Sequence, residues 1–184
     1  MPDHPIIRNR RRIADTGIFR IEELDLQFSN GEERLYQRIV GSRRGAVMIV
    51  PLLDPETVLL IREYGAGMER YELGFPKGSI DAGEDMLQAA DREIQEETGH
   101  AARRLELLRS VTVAPGYLFH TTHIILAADL YPQRREGDEP EPIEVVPWKI
   151  ADFDRLLQRD DFTEARSIAA FYILREYLSR NPPS

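Results

Sequence analysis

The sequence predicts an α+β fold, most simply a helix-sheet-helix sandwich, because strand and helix patterns follow one another in blocks: strands, a helix, strands, then helices. Three features carry that reading. An alternating stretch surrounds Asn30-Gly31, two continuous apolar runs follow at residues 46–53 and 57–61, and apolar residues recur at helical spacing over 85–98 and 164–180. At 184 residues the chain has room for one full-sized domain with a small appendage, taking about 100–200 residues per domain.

In order along the chain, residues 1–12 mix Pro2 and Pro5 with Arg8, Arg10, Arg11 and Arg12 and read as a frayed basic arm. Over 19–40, Leu24, Leu26 and Phe28 precede Asn30-Gly31 and Leu35, Gln37 and Ile39 follow it, which reads as a hairpin with one apolar face. The runs AVMIVPLL and TVLLI, parted by Asp54-Pro55, read as strands of a central sheet covered on both sides. Residues 85–98 read as a helix with Leu87, Ala90 and Ile94 on one face and Gly99 as its stop. Residues 105–113 and 121–130 read as an antiparallel pair joined across Ala114-Pro115-Gly116. A loop of acids and prolines, 134–142, leads to a strand at 143–148. Helices are expected at 151–159 and 164–180, the second with Ile168, Phe171, Leu174 and Leu178 on one face.

Composition narrows the function classes. With 42% apolar and 30% charged residues, the chain is not collagen-like, coiled-coil or largely disordered. The absence of cysteine removes disulfide frameworks, thiolate metal sites and a cysteine nucleophile, and fits a cytoplasmic home. The basic start lacks an apolar h-region and no stretch approaches the roughly 18 apolar residues of a membrane span, so no membrane partner is expected. A formal charge of -8 argues against a nucleic-acid partner, and an anionic substrate would need something else to neutralise it.

The segment GSIDAGEDMLQAADREIQEETG, from Gly78 to Gly99, carries the chemistry. Gly78 and Gly83 loosen the chain before the helix, whose last turns carry Glu93, Glu96 and Glu97. Glu93 and Glu97 are i and i+4, so their carboxylates share one edge and repel, a cost that a hard divalent cation with oxygen ligands reverses. At about 100° per residue, Glu97 falls only about 60° from Ile94, so the acidic edge borders the buried stripe as a cleft wall would. A solvated acidic face is the plain alternative, but it leaves the glycine-rich entry, Arg92 among the acids and the upstream Glu84 unexplained.

These residues are similar to the Nudix box, G-x5-E-x7-R-E-U-x-E-E-x-G-U with U aliphatic. Gly78, Glu84, Arg92, Glu93, Ile94, Glu96, Glu97 and Gly99 fall in register, and only His100 departs, at the last aliphatic position. The resemblance extends beyond the box to the ADP-ribose pyrophosphatase-like branch of the family: the LQFSNG turn, IREY, YELGF-KG, GDEPEP and the EAR start of the last helix. It implies a Nudix α/β/α sandwich over 46–184, with 1–45 supplying an antiparallel dimerising sheet. It also implies Mg2+-dependent (or Mn2+-dependent) homodimers that cleave ADP-X compounds, such as ADP-ribose, NADH and diadenosine oligophosphates, to AMP and a second phosphorylated product.

Carried over residue by residue, the resemblance implies that Glu93 and Glu97 hold the metal, with Glu96 a further or water-mediated ligand and the Lys77 carbonyl joining them. Arg92 would orient the carboxylates and Glu84 would tie the loop to the helix. Such a cation supplies what diphosphate hydrolysis needs, charge neutralisation and an activated water. Where the branch often carries an arginine, this chain has Glu63-Tyr64-Gly65, which leaves Arg62 or Arg70 as phosphate contacts beside Glu72. In the late loop, Glu139 is the candidate base and Glu141 a metal contact, with Asp138 and Glu144 as rivals. Glu139 at its ordinary value of about 4.3 is a weak base, so burial or neighbouring acids must raise it.

Other residues receive plainer readings. His120 and His123 are three apart on an expected strand and so on opposite faces, which argues against a paired metal site. Trp148, Phe28 and Tyr36 read as packing residues, and Ser167 shows no His-Asp partners. Two other functions compete: a catalytically silent Nudix-like nucleotide sensor, and a Nudix hydrolase of another substrate group such as nucleoside triphosphates or coenzyme A.

Overall fold

The basic N-terminal stretch is a strand and not a frayed arm. In the computed structural model, which describes residues 3–42, 44–138 and 140–181, Ile6–Asp15 (β1) runs antiparallel to Arg20–Gln27 (β2), with Ile6 opposite Gln27 and Asp15 opposite Arg20. Its arginines find acids on the neighbouring strand. Arg11 pairs with Glu23, and Arg10 lies 3.9 Å from Glu22, which Arg38 holds at 2.8 Å. Opposite charges across strands stabilise the pairing that composition alone did not suggest.

Arg20–Gln27 pairs in turn with Glu33–Val40 (β3), and Gly31 takes φ +85° in the connecting turn. The register corrects the expected single apolar face. Leu24 lies opposite Tyr36 and Asp25 opposite Leu35, so Leu24 and Leu26 occupy one face while Leu35 and Ile39 occupy the other. The chain divides into two units. The first holds the residues up to Gly45 together with Thr112–Thr121, and a short strand from the latter, Leu118–Phe119 (β9 in chain order), pairs parallel with β3. The connection after residue 111 thus carries a short strand of its own besides Ala114-Pro115-Gly116, which the sequence reading did not include.

In the second unit, Ala46–Asp54 (β4) and Thr57–Gly65 (β5) are the two apolar runs, strands of the main sheet as expected and paired antiparallel. The hydrophobic patterning did not expose Arg70–Gly74 (β6) and Lys77–Ser79 (β7), which pair with β5 and β4 respectively. After the helix Met86–Thr98 (α1) come His100–Val111 (β8) and Thr122–Pro132 (β10), then Glu144–Lys149 (β11). The sheet order is β11-β5-β4-β10-β8, with β10 parallel to β4.

Continuous apolar strands follow from burial on both faces. Val47, Ile49, Ile125 and Ala127 pack with Ala89, Ala90 and Ile94 of α1. Met48, Val50, Ile124 and Leu126 pack on the opposite side with Ala170, Phe171 and Leu174 of Ala165–Arg180 (α3). Successive side chains of a strand point to opposite faces, so helices on both sides demand an unbroken run. The expected helix at 151–159 is only a 3-10 turn, Ile150–Asp152, and one α-turn, Phe153–Leu156 (α2), pinned by Phe153 stacked on Phe171 at 4.0 Å. Leu87 is 37% exposed, so Ala89 and not Leu87 fills the buried stripe of α1. Among the described residues no helix is long and apolar enough to cross a membrane.

Candidate active site

Helix α1 starts and stops where its sequence says. Asp85 caps it, accepting hydrogen bonds from Leu87 N at 2.8 Å and Gln88 N at 2.9 Å, while Gln88 Oε1 accepts one from the Asp85 amide. Gly99 ends it in the left-handed region at φ +74°. Between these ends Glu93 and Glu97 are 9% and 3% exposed, so the acidic edge is buried more deeply than the wall of a cleft. Gly78 does more than loosen the chain. It lies in β7, and a Cβ there would sit 1.9 Å from Glu93 Oε1. Only glycine leaves room for that carboxylate.

Arg92 organises the acids. Its Nε donates to Glu84 at 2.9 Å, its Nη1 to Glu93 at 2.6 Å and Glu96 at 3.1 Å, and its Nη2 to the Ser79 carbonyl at 2.9 Å. Glu97 turns the other way and accepts from the Lys77 amide at 2.9 Å. The Lys77 amide thus meets a box carboxylate, while the Lys77 ammonium pairs with Glu63. The hydrogen bond from Arg92 holds Glu84 below the usual carboxylate range, and that same bond is the largest influence raising Arg92. Burial raises Glu93 despite Arg92, and pushes Glu97 up to about 8. Burial outweighs the cations present, Arg92 at Glu93 and Lys77 at Glu97.

The late loop reaches the same helix. Gln133 N donates to Gly99 O at 3.0 Å, Arg135 N to Gln95 O at 3.3 Å, and Arg135 Nε lies 3.4 Å from Glu96. A Cβ on Gly137 would meet Glu96 Cβ at 3.3 Å, and the charge of Asp138 contributes to raising Glu93. Glu139 lies outside the described residues. Glu141 accepts a bond from the Tyr71 hydroxyl at 2.6 Å, and Glu144 meets Arg62 at 2.8 Å. Beside Lys77 opens a cavity of about 410 Å3 lined by Glu63, Tyr64, Met68, Glu72 and Thr163 among others.

Two family models match the chain: a NUDIX domain over residues 42–171 and a NudE-type Nudix hydrolase N-terminal domain over residues 5–38. The chain belongs to the Nudix hydrolase family. It is 47% identical over 174 residues, 95% of this chain and 93% of the other, to the ADP compounds hydrolase NudE of Escherichia coli (strain K12). It is 27% identical, with 82% of each chain covered, to an ADP-ribose pyrophosphatase of Bacillus subtilis (strain 168). A crystal structure of an ADP compounds hydrolase superposes with a TM-score of 0.91 at 44% identity, covering 99% of this chain and 98% of that one.

Nudix hydrolases generally use divalent metal ions. The donor chemistry here fits one: buried carboxylates that resist ionisation are relieved by a hard cation, which oxygen ligands suit. Among the described residues no three such groups already converge on one point, because Glu93 turns to Arg92 and Glu97 to the Lys77 amide. Of the substrate-side candidates, Arg62 is held by Glu144 and Asp161, and Arg70 by Glu72 and Thr163, so neither presents an uncommitted cation to a phosphate. Glu72 also accepts from the Thr163 amide at 3.3 Å on the cavity wall. The plain readings also find their places. Ser167 is buried, its hydroxyl accepting from Phe75 N at 3.1 Å, and Trp148 packs against the core, donating to the Asp152 carbonyl at 3.2 Å. Phe28 and Tyr36 pack with ring centroids 6.3 Å apart. His123 is on β10, whereas His120 precedes it in the other unit. Sequence reasoning missed Tyr71, Thr163 and Arg135 as parts of this network; nothing in their spacing marks them, since each partner lies far away along the chain.

Proposed function

We propose that this Nudix hydrolase cleaves the diphosphate linkage of ADP-X compounds (ADP-ribose, NADH and diadenosine oligophosphates), releasing AMP, with Mg2+ or Mn2+ as the cation. The observation that carries the reading is the set of buried, undercompensated box carboxylates, Glu93 and Glu97, beside the cavity at Lys77. A cavity of about 410 Å3 lies within the roughly 300–1,000 Å3 of small-molecule sites. The 47% identity to an ADP compounds hydrolase supports the substrate class.

In this reading Glu93, Glu97 and Glu96 hold the cation, joined by the Lys77 backbone and by Glu141 from the late loop. When bound, the cation neutralises phosphate charge and lowers the pKa of a coordinated water. Arg92 keeps Glu93 and Glu96 oriented through its fork of hydrogen bonds, and Glu84 fixes Arg92 in turn. Glu139 is the proposed base that takes the proton of the attacking water. Glu72 faces the substrate from the cavity wall, and Arg62 and Arg70 contact phosphate only by exchanging their carboxylate partners.

Residues 1–45 form the dimerising part and 46–184 the catalytic part in the same proposal. Ile6, Ile7, Ile18, Phe19 and Leu35 leave the first unit with much exposed apolar surface, which a second copy of the chain would cover. The cytoplasm, where such nucleotides are made and used, is the compartment this function implies. Product analysis with Mg2+ tests the function directly. AMP should appear from ADP-ribose, NADH and diadenosine triphosphate, while dGTP stays intact; cleavage of dGTP alone, or of nothing, overturns the proposal. Sedimentation of an active monomer at micromolar concentration overturns the dimer.

A further inference from the structure

The late loop has two anchorages of different kinds. Its first half lies along α1 through Gln133 and Arg135. Its second half turns to β5 and β6, where Arg62 holds Glu144 at 2.8 Å and the Tyr71 hydroxyl donates to Glu141 at 2.6 Å. Tyr71 is itself braced, its ring meeting Tyr64 edge-on with centroids 5.4 Å apart at 70°. Pro140 and Pro142 flank Glu141 and restrict the backbone on each side, so that acid moves with its segment. These groups line a cavity of about 500 Å3 whose wall includes Glu63 and Tyr64 but neither Glu93 nor Glu97.

We propose that Tyr71 is a positioning residue of the late loop: its hydroxyl holds Glu141 at β6, where it does not converge with Glu93 and Glu97 on one point, and sets how readily that acid reaches the cation site. The inference rests on the reading above that Glu141 contributes to metal binding. A phenol bonded to an ionised carboxylate makes one of the stronger neutral-to-charged hydrogen bonds. Glu141 leaves it only when the second half of the loop lifts from β6. The fraction of molecules with the loop released then multiplies the intrinsic metal affinity, so a bond that favours the parked state weakens the apparent affinity. Phenylalanine at this position keeps the ring contact with Tyr64 and removes only the donor, which releases the loop without unpacking β6.

The test measures Mn2+ binding by calorimetry without substrate, in the parent protein and in Tyr71→Phe. The variant should bind Mn2+ roughly 3- to 10-fold more tightly, and the Mn2+ concentration for half activity should fall by a similar factor, with KM for ADP-ribose within about twofold. Placed on a Glu141→Ala background, Tyr71→Phe should change Mn2+ binding by less than about 1.5-fold, because the phenol then has nothing to hold back. Unchanged or weaker Mn2+ binding in Tyr71→Phe overturns the proposal, as does the same tightening in the Glu141→Ala background. Failure of the functional reading looks different: AMP release from ADP-ribose would then be missing in the parent protein itself.

Discussion

Around Asp161 and Glu144 two guanidinium groups serve two carboxylates, whereas the guanidinium of Arg92 on α1 serves three. Asp161 accepts from Arg159 Nε at 2.7 Å and Nη2 at 2.8 Å and from Arg62 at 2.5 Å, with Glu144 on the far side of Arg62. Arg159 above all, and then Arg62, hold the Asp161 carboxyl well below its usual range, in a part-exposed setting. On α1 the shared Arg92 contacts Glu84, Glu93 and Glu96, burial is deeper, and Glu97 is pushed up to about 8. The two clusters use the same chemical groups. The ratio of acid to base and the depth of burial make the first a surface tie and the second a place suited to a cation.

The contrast breaks most sharply at Glu97. Glu97→Gln keeps the shape and removes the ligand charge, so turnover on ADP-ribose should fall roughly 100- to 1,000-fold, the equivalent of several kcal/mol of lost electrostatic stabilisation. Thermal unfolding of the metal-free variant should occur at the same temperature or higher, because a buried acid that resists ionisation has been replaced by a neutral group. Normal turnover would place the reaction elsewhere. Gly78→Ala comes next: its methyl group displaces the Glu93 carboxylate and should raise the half-activating Mn2+ concentration about 10- to 100-fold, as loss of support for a ligand does.

Arg92→Lys sharpens the comparison further. It keeps the positive charge but loses the fork that meets Glu84, Glu93 and Glu96 together, and kcat should fall about 10-fold. Asp161→Asn in the other cluster should leave turnover within about threefold while lowering stability by about 1–2 kcal/mol, as read by denaturant unfolding. A large loss of activity there would show that the surface tie also shapes the site.

The smallest effect is on pH dependence, where the clusters pull in opposite directions. In metal-free protein the folded state keeps a proton on Glu97 between its ordinary 4.5 and about 8 that the unfolded chain has released, so this group makes stability fall as pH rises through that window. Asp161 is depressed instead, so its contribution is present above its ordinary 3.8 and is lost as pH falls below it. Melting curves from pH 3 to 9 should therefore show a maximum, and saturating Mg2+ should flatten the alkaline side only. A slope there that Mg2+ does not change would remove Glu97 from the cation site.

Much of the catalytic unit was legible because its signals are local. The capped helix, its Gly99 stop and the alternate burial of Val47, Met48, Ile49 and Val50 follow from spacing of a few residues. The N-terminal unit was read less well. β1 has few apolar residues and is stabilised by arginines meeting Glu22 and Glu23, partners that lie beyond the next turn. The single apolar face assigned to the hairpin failed because face assignment depends on register, and a shift of one residue moves every side chain to the other side.

By itself the sequence determined the family, the helix that carries Glu93, Glu96 and Glu97, and the two-sided core, since each rests on residue types at fixed short intervals. Only the tertiary structure decided what those residues feel. It placed Gly78 against Glu93, the Lys77 amide on Glu97, Tyr71 on Glu141 and Arg62 on Asp161, all contacts between residues 15 or more apart along the chain. Intrinsic acidity is a property of the residue type. Burial and the number of nearby cations are properties of the folded surroundings, and these separate a carboxylate that stabilises the surface from one suited to hold a metal.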